Sequence, residues 1–131
     1  MINKLIKLNK KALKNGDVPV SCIILKDNKV ISTGYNMKVK KNDPFAHAEI
    51  IAIKKASKKL KTFNLGDCEM IVTLKPCSMC EAVILESRLK KVSYILDKEK
   101  EINNNIQYNQ IFIDNSDYFR DELQSFFKSK R

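Results

Sequence analysis

Histidine is the scarcest reactive side chain here: a single imidazole, His47, among 131 residues. Tryptophan is absent, glycine and proline number three each, and cysteine four. The thiols, Cys22, Cys68, Cys77 and Cys80, are too few and too unevenly spaced for a secreted disulfide framework. No run of about eighteen apolar residues exists, which excludes a transmembrane helix. The opening MINKLIKLNKKALKNG sets lysines between its apolar residues and lacks the uninterrupted apolar stretch of a signal peptide. Neither a repeat nor a linker divides the chain, so one domain over residues 1–131 is expected, with the reducing cytoplasm as its compartment and no membrane partner.

Acidic residues are also scarce in the first half. Residues 1–66 hold fifteen Lys against four Asp and Glu, net +11, whereas residues 67–131 stand at −1. Such asymmetry suits an anionic partner, nucleic acid first. It is equally what a composition rich in Lys, Ile and Asn produces, since 22 of the 25 basic residues are Lys.

What is present has a clear order. Ile2, Leu5, Ile6, Leu8, Ala12 and Leu13 recur at a mostly helical spacing, and Asn15-Gly16 supplies a stop; the apolar stripe is expected to pack on the core. Val18 to Leu25 and Val30 to Tyr35 read as two strands around the turn Lys26-Asp-Asn-Lys29, a hairpin. A polar loop, Asn36 to Asn42, leads to Asp43-Pro44, an N-cap followed by Pro at the first helical position, and a helix to about Leu60. Met70 to Leu74 is a short strand, Pro76 opens a helix through about Ser87, and Val92 to Leu96 is another strand. Asp97 to Asn105 is polar and turn-rich. A weak strand around Ile111-Phe-Ile113 precedes a last helix, Ser116 to Phe127. This order implies a sheet with helices on its faces.

Cys77 and Cys80 lie three apart at the start of a helix, so both sulfurs share a face, and a helix N-terminus favours the metal-binding thiolate. His47 falls in the first turn of the other helix. Both helices follow strands, which brings their starts to the carboxyl edge of the sheet. One imidazole and two thiolates make a zinc site with an open fourth position. A closed structural site would need Cys22 or Cys68. Cys22 lies within the first strand as a small buried hydrophobe, and Cys68 begins a strand that carries it ~20 Å away at ~3.3 Å per residue. Glu49 is about 200° around the helix from His47. It suits a proton carrier beside the metal better than a ligand, although a carboxylate in a first turn also compensates the helix dipole.

H-A-E followed by P-C-x-x-C resembles the signature of the zinc-dependent nucleobase and nucleoside deaminases. The segments GDVPVSCIILKDNKVISTGYN, DPFAHAEI, TLKPCSMC and DELQSFFKSKR resemble, in order, the bacterial tRNA-specific adenosine deaminases. The resemblance implies an α/β fold, a three-layer α/β/α sandwich of the cytidine deaminase-like type with a central mixed sheet of about five strands. It places one zinc per subunit on His47, Cys77 and Cys80, and the proton shuttle on Glu49. It puts a base contact on Asn36, which is otherwise a turn residue closing a strand. Val18, Val20 and Pro76 would line the base pocket, unless they are ordinary core, and the Ala48 backbone N–H would face the base edge. Two departures stand out. Lys75 occupies the place of the family's Glu. Ile95-Leu-Asp-Lys98 stands where the family reads like G-A-R-D, and the glycine-rich loop and helix that follow are missing.

The implied reaction is hydrolytic deamination of adenosine to inosine at the wobble position of a tRNA anticodon loop, by a homodimer. The alternatives are a deaminase of a free base or nucleoside (cytosine, cytidine or guanine), which shares the zinc-site residues, and a non-catalytic zinc-stapled RNA-binding module, which needs a fourth ligand. For an RNA substrate, phosphate contacts are expected from Lys38, Lys40 and Lys41 before the zinc helix and from Lys128, Lys130 and Arg131 in the tail.

Overall fold

A computed structural model describes residues 1–99, 103–114 and 116–130. The apolar stripe of the first segment forms α1 (Ile2–Lys14), with Leu5, Leu8 and Ala12 buried, and Gly16 ends it in a left-handed turn at φ 79°. The hairpin follows as β1 (Ser21–Lys26) and β2 (Lys29–Tyr35). Its two turn residues, Asp27 (φ 52°) and Asn28 (φ 63°), both take the left-handed conformation that a tight two-residue hairpin needs and that Asp and Asn tolerate. Val18 and Val20 lie just before β1 rather than in it.

The remaining elements are α2 (Lys38–Lys41), α3 (Ala48–Leu60), β3 (Cys68–Leu74), α4 (Ser78–Glu86), β4 (Lys91–Leu96), β5 (Gln107–Gln110) and α5 (Ser116–Ser129). The strand order is β2-β1-β3-β4-β5, antiparallel at β2-β1 and β1-β3 and parallel at β3-β4 and β4-β5. The central strands are buried on both faces, so they read as nearly continuous apolar runs. Cys22, Ile24, Met70, Val72 and Val92 face one core with α3 and α4. Ile23, Leu25, Ile71 and Ile95 face the other, closed by Leu5 of α1 and Phe119 of α5. The expected three layers and five-stranded mixed sheet are therefore present. No helix among the described residues is long and apolar enough to cross a membrane.

Three expectations need correcting. Asp43-Pro44 does not start a helix. Asp43 Oδ1 accepts the Phe45 N–H at 2.9 Å and closes a turn, and α3 begins five residues after Asp43, at Ala48. The supposed polar loop contains α2, anchored because buried Asp17 accepts the Val39 N–H at 2.9 Å. The last strand is Gln107–Gln110 rather than Ile111-Phe-Ile113. It is an edge strand with Gln107 and Asn109 exposed and Tyr108 turned inward, so its composition masks its period of two. Ile111 and Ile113 pack instead against the second core. Parallel strands are usually joined by about a dozen residues or more, often as a helix. Here residues 97–106 connect β4 to β5 with no helix among those described.

Candidate active site

β2 and β3 both end at the same sheet edge, because each is antiparallel to β1 between them. α3 and α4 therefore start side by side. His47 and Cys77 are the N-cap residues of these helices, both in extended backbone conformation, and neither side chain caps its own helix. That frees the imidazole and the thiol to face each other. For α3 the capping is done at a distance: Asn36 Oδ1, at the end of β2, accepts the Ala48 N–H at 2.8 Å.

His47 Nδ1 lies 3.5 Å from Cys80 Sγ and 3.8 Å from Cys77 Sγ, and the three ligand atoms all lie within 4.8 Å of one another. A tetrahedral zinc with its usual Zn–N and Zn–S lengths separates nitrogen from sulfur by about 3.6 Å, so the three atoms fit that ion. Among the described residues no fourth ligand joins the group. Cys22, fully buried, turns its thiol to the Ala48 carbonyl at 3.3 Å, and Cys68 sits at the far end of β3. The thiols are unlike. Cys77 is held below the usual thiol range, chiefly by the hydrogen bond from Cys80. Cys80 is pushed up by that same bond and by burial.

Glu49 follows in the first turn of α3, only 4% exposed. Burial, the largest influence, pushes its carboxyl up to about 7, where a group both accepts and returns protons near neutral pH. Beside it opens a cavity of about 160 Å³, close to the roughly 150 Å³ that admits one aromatic ring. Val18, Val20 and Leu74 are its apolar lining, with Asn36 among the polar groups and His47, Glu49 and Cys77 at the metal side.

The structure thus brings together seven expected positions: Val18, Val20, Asn36, Lys38, His47, Glu49 and Cys77 line one cavity, with Cys80 behind them. Two other expected positions, the wall residue Pro76 and the Ala48 N–H, lie outside that lining. Pro76 is buried beside Cys77 and does not line the cavity, and Ala48 is fully buried with its N–H already given to Asn36. Lys40 and Lys41 are exposed on α2, and Lys128 and Lys130 are exposed at the end of α5; Arg131 lies outside the described residues. Sequence reasoning missed Leu74 and Lys98 as lining, and it left Lys75 unexplained. Lys75 is nearly buried. Its Nζ lies 3.6 Å from Asp97 Oδ1 and 5.1 and 5.0 Å from the ring centroids of Tyr94 and Tyr108. Tyr108 in turn donates its hydroxyl to Glu81 at 2.6 Å, tying β5 to α4.

A mixed sheet with a His-Cys-Cys group at two helix starts defines a class. Residues 1–96 match the cytidine and deoxycytidylate deaminase zinc-binding region, and the chain belongs to that family of deaminases. More particularly, it is similar to tRNA-specific adenosine deaminases. It is 37% identical over 132 residues to that of Buchnera aphidicola subsp. Schizaphis graminum, covering 92% of this chain and 87% of the relative. It is 45% identical over 91 residues to that of Aquifex aeolicus, covering 69% of this chain but only 60% of the relative's length. Among solved structures, one from work on A-to-I editing by tRNA:A34 deaminases shares the fold, with a TM-score of 0.76 at 23% identity over 84% of this chain and 95% of that one. The guanine deaminase of Bacillus subtilis superposes with a TM-score of 0.67 at 27% identity over 98% and 90% of the two chains.

Proposed function

We propose that the chain deaminates adenosine to inosine at the wobble position of a tRNA anticodon, as a cytoplasmic homodimer with one zinc per subunit. The observation that carries this reading is the buried Glu49 beside the His47-Cys77-Cys80 group, at the cavity of about 160 Å³ that Val18, Val20 and Leu74 line. The names of the relatives supply the substrate class. Zinc held by His47, Cys77 and Cys80 supplies a Lewis acid that makes water nucleophilic near neutral pH.

Everything else falls to the chain's own groups. Val18, Val20 and Leu74 enclose an extruded adenine and exclude bulk water, and Asn36, fixed through Ala48, offers its amide to the base. Glu49 takes a proton from the attacking water, whose oxygen bonds to C6. Glu49 delivers that proton to the ring nitrogen and then carries the remaining proton of the new C6 hydroxyl to the amine; the C6–N bond breaks, ammonia leaves and the C6 oxygen stays as the carbonyl of inosine. An anticodon loop suits such a site because its bases are already splayed from a helix. The exposed lysines of α2 and of the end of α5 are the phosphate contacts in this reading. Four free cysteines suit a reducing compartment.

The test is incubation of the zinc-loaded protein with total tRNA and reverse-transcription sequencing for A-to-I conversion at the wobble position. The likeness to a guanine deaminase keeps a second reading in view, deamination of a free base. Ammonia release from guanine, cytosine or cytidine with no tRNA conversion would select it. Sedimentation of active protein as a single species near 15.1 kDa would contradict the dimer.

A further inference from the structure

Lys75 joins two strand ends. Its backbone N–H donates to the Leu96 carbonyl at 3.0 Å, and its ammonium meets Asp97. The same Asp97 carboxylate accepts the Lys98 backbone N–H at 2.8 Å. One side chain therefore holds the chain leaving β4 against the end of β3 and sets the backbone from which Lys98 enters the cavity. Lys98 lines the same cavity as Glu49 and Cys77.

Lys75 and Asp97 carry opposite charges 3.6 Å apart. Lys98 brings a further cation into a cavity that Lys38 and Lys75 also line. Asp97 answers Lys75; among the described residues neither Lys38 nor Lys98 has an ion-pair partner.

We infer that Lys98 is a specificity-determining cation that takes a phosphate of a polynucleotide beside the target base, and that the Lys75–Asp97 pair is the device that positions it. The inference rests on the RNA reading above and narrows it. A bare base carries no phosphate for Lys98 to hold, so the cation selects against it in favour of a nucleotide within a strand. The contact is one counterion released per site bound.

The test is equilibrium binding of a synthetic RNA stem-loop, with one adenine in its loop, to the full zinc-loaded chain by fluorescence anisotropy over a range of salt. Lys98→Ala is expected to weaken binding and flatten the slope of log affinity against log salt by about one unit, and Lys98→Arg to keep the slope. Lys75→Gln combined with Asp97→Asn leaves the net charge unchanged. It is expected to weaken binding in the wild-type background and to add nothing to Lys98→Ala, the non-additivity of residues acting through one contact. An unchanged slope in Lys98→Ala, or an Arg variant as weak as the Ala variant, overturns the proposal. Conversion of the loop adenine is read separately. Conversion with an unchanged slope removes the role of Lys98 alone, whereas a lost slope without conversion supports Lys98 and removes the deaminase reading.

Discussion

Asn36 Oδ1 accepts the Ala48 N–H at 2.8 Å, so the end of β2 caps the helix that carries His47 and Glu49. The Asn36 backbone N–H is itself fixed to the Val20 carbonyl at 3.1 Å. A residue expected to touch the base, or else to close a strand as a turn residue, therefore also sets where the first metal ligand and the proton carrier stand. Asn36→Ala leaves a buried N–H without its acceptor, which costs about 1–3 kcal/mol. Urea unfolding should report that loss together with weakened substrate binding. An unchanged midpoint would remove the capping role.

Metal content separates the four cysteines. His47→Ala, Cys77→Ala and Cys80→Ala should each abolish stoichiometric zinc, because a two-ligand remnant cannot complete the site. Cys22→Ala and Cys68→Ala should retain about one zinc per chain, since neither thiol belongs to the group. Metal analysis by mass spectrometry checks all five, and a requirement for Cys68 would contradict the geometry.

Glu49→Ala should keep zinc and RNA affinity and slow deamination by about 10²–10⁴-fold, the usual contribution of a positioned proton carrier. Single-turnover kinetics with zinc assayed on the same sample distinguish this from simple metal loss. Near wild-type turnover would refute the assigned role.

Gly34 offers a test of how closely the helix must approach the sheet. A Cβ there would collide with the Ala48 carbonyl oxygen and come within 3.0 Å of the Ala52 nitrogen. Gly34→Ala should push back the first turn of α3, destabilise the fold by about 1–3 kcal/mol, and lower zinc affinity through His47. Thermal unfolding with and without a chelator reads both effects. Stability equal to wild type in both conditions would show that the helix can retreat at no cost.

The parts of this molecule that could be read in advance are those whose cause is local. The hairpin was legible because Asp27 and Asn28 tolerate the turn themselves, and the ligand trio because two short motifs sit where strands hand over to helices. The start of α3 was misjudged because its cap comes from Asn36, twelve residues upstream, while Asp43 closes only a turn. β5 was misplaced because an edge strand of Gln and Asn keeps its inward alternation through Tyr108 alone. Lys75 and Asp97 are brought together by the parallel pairing of β3 with β4, which nothing local in the sequence announces.

The two faces of the sheet differ in how much of the chain they await. The face behind the metal draws its buried residues from Val20 to Ile106. The opposite face needs Phe119, and Asn9 of α1 reaches across 113 positions to Glu122 of α5 at 2.8 Å. A chain emerging vectorially from the ribosome thus finishes its reactive side first. Until α5 arrives, Ile23, Ile71 and Ile95 stand partly uncovered, the kind of transient apolar surface that invites aggregation or a chaperone. The last fourteen-residue helix acts as the closing plate of the fold, and the moment of its docking marks the end of that vulnerable interval.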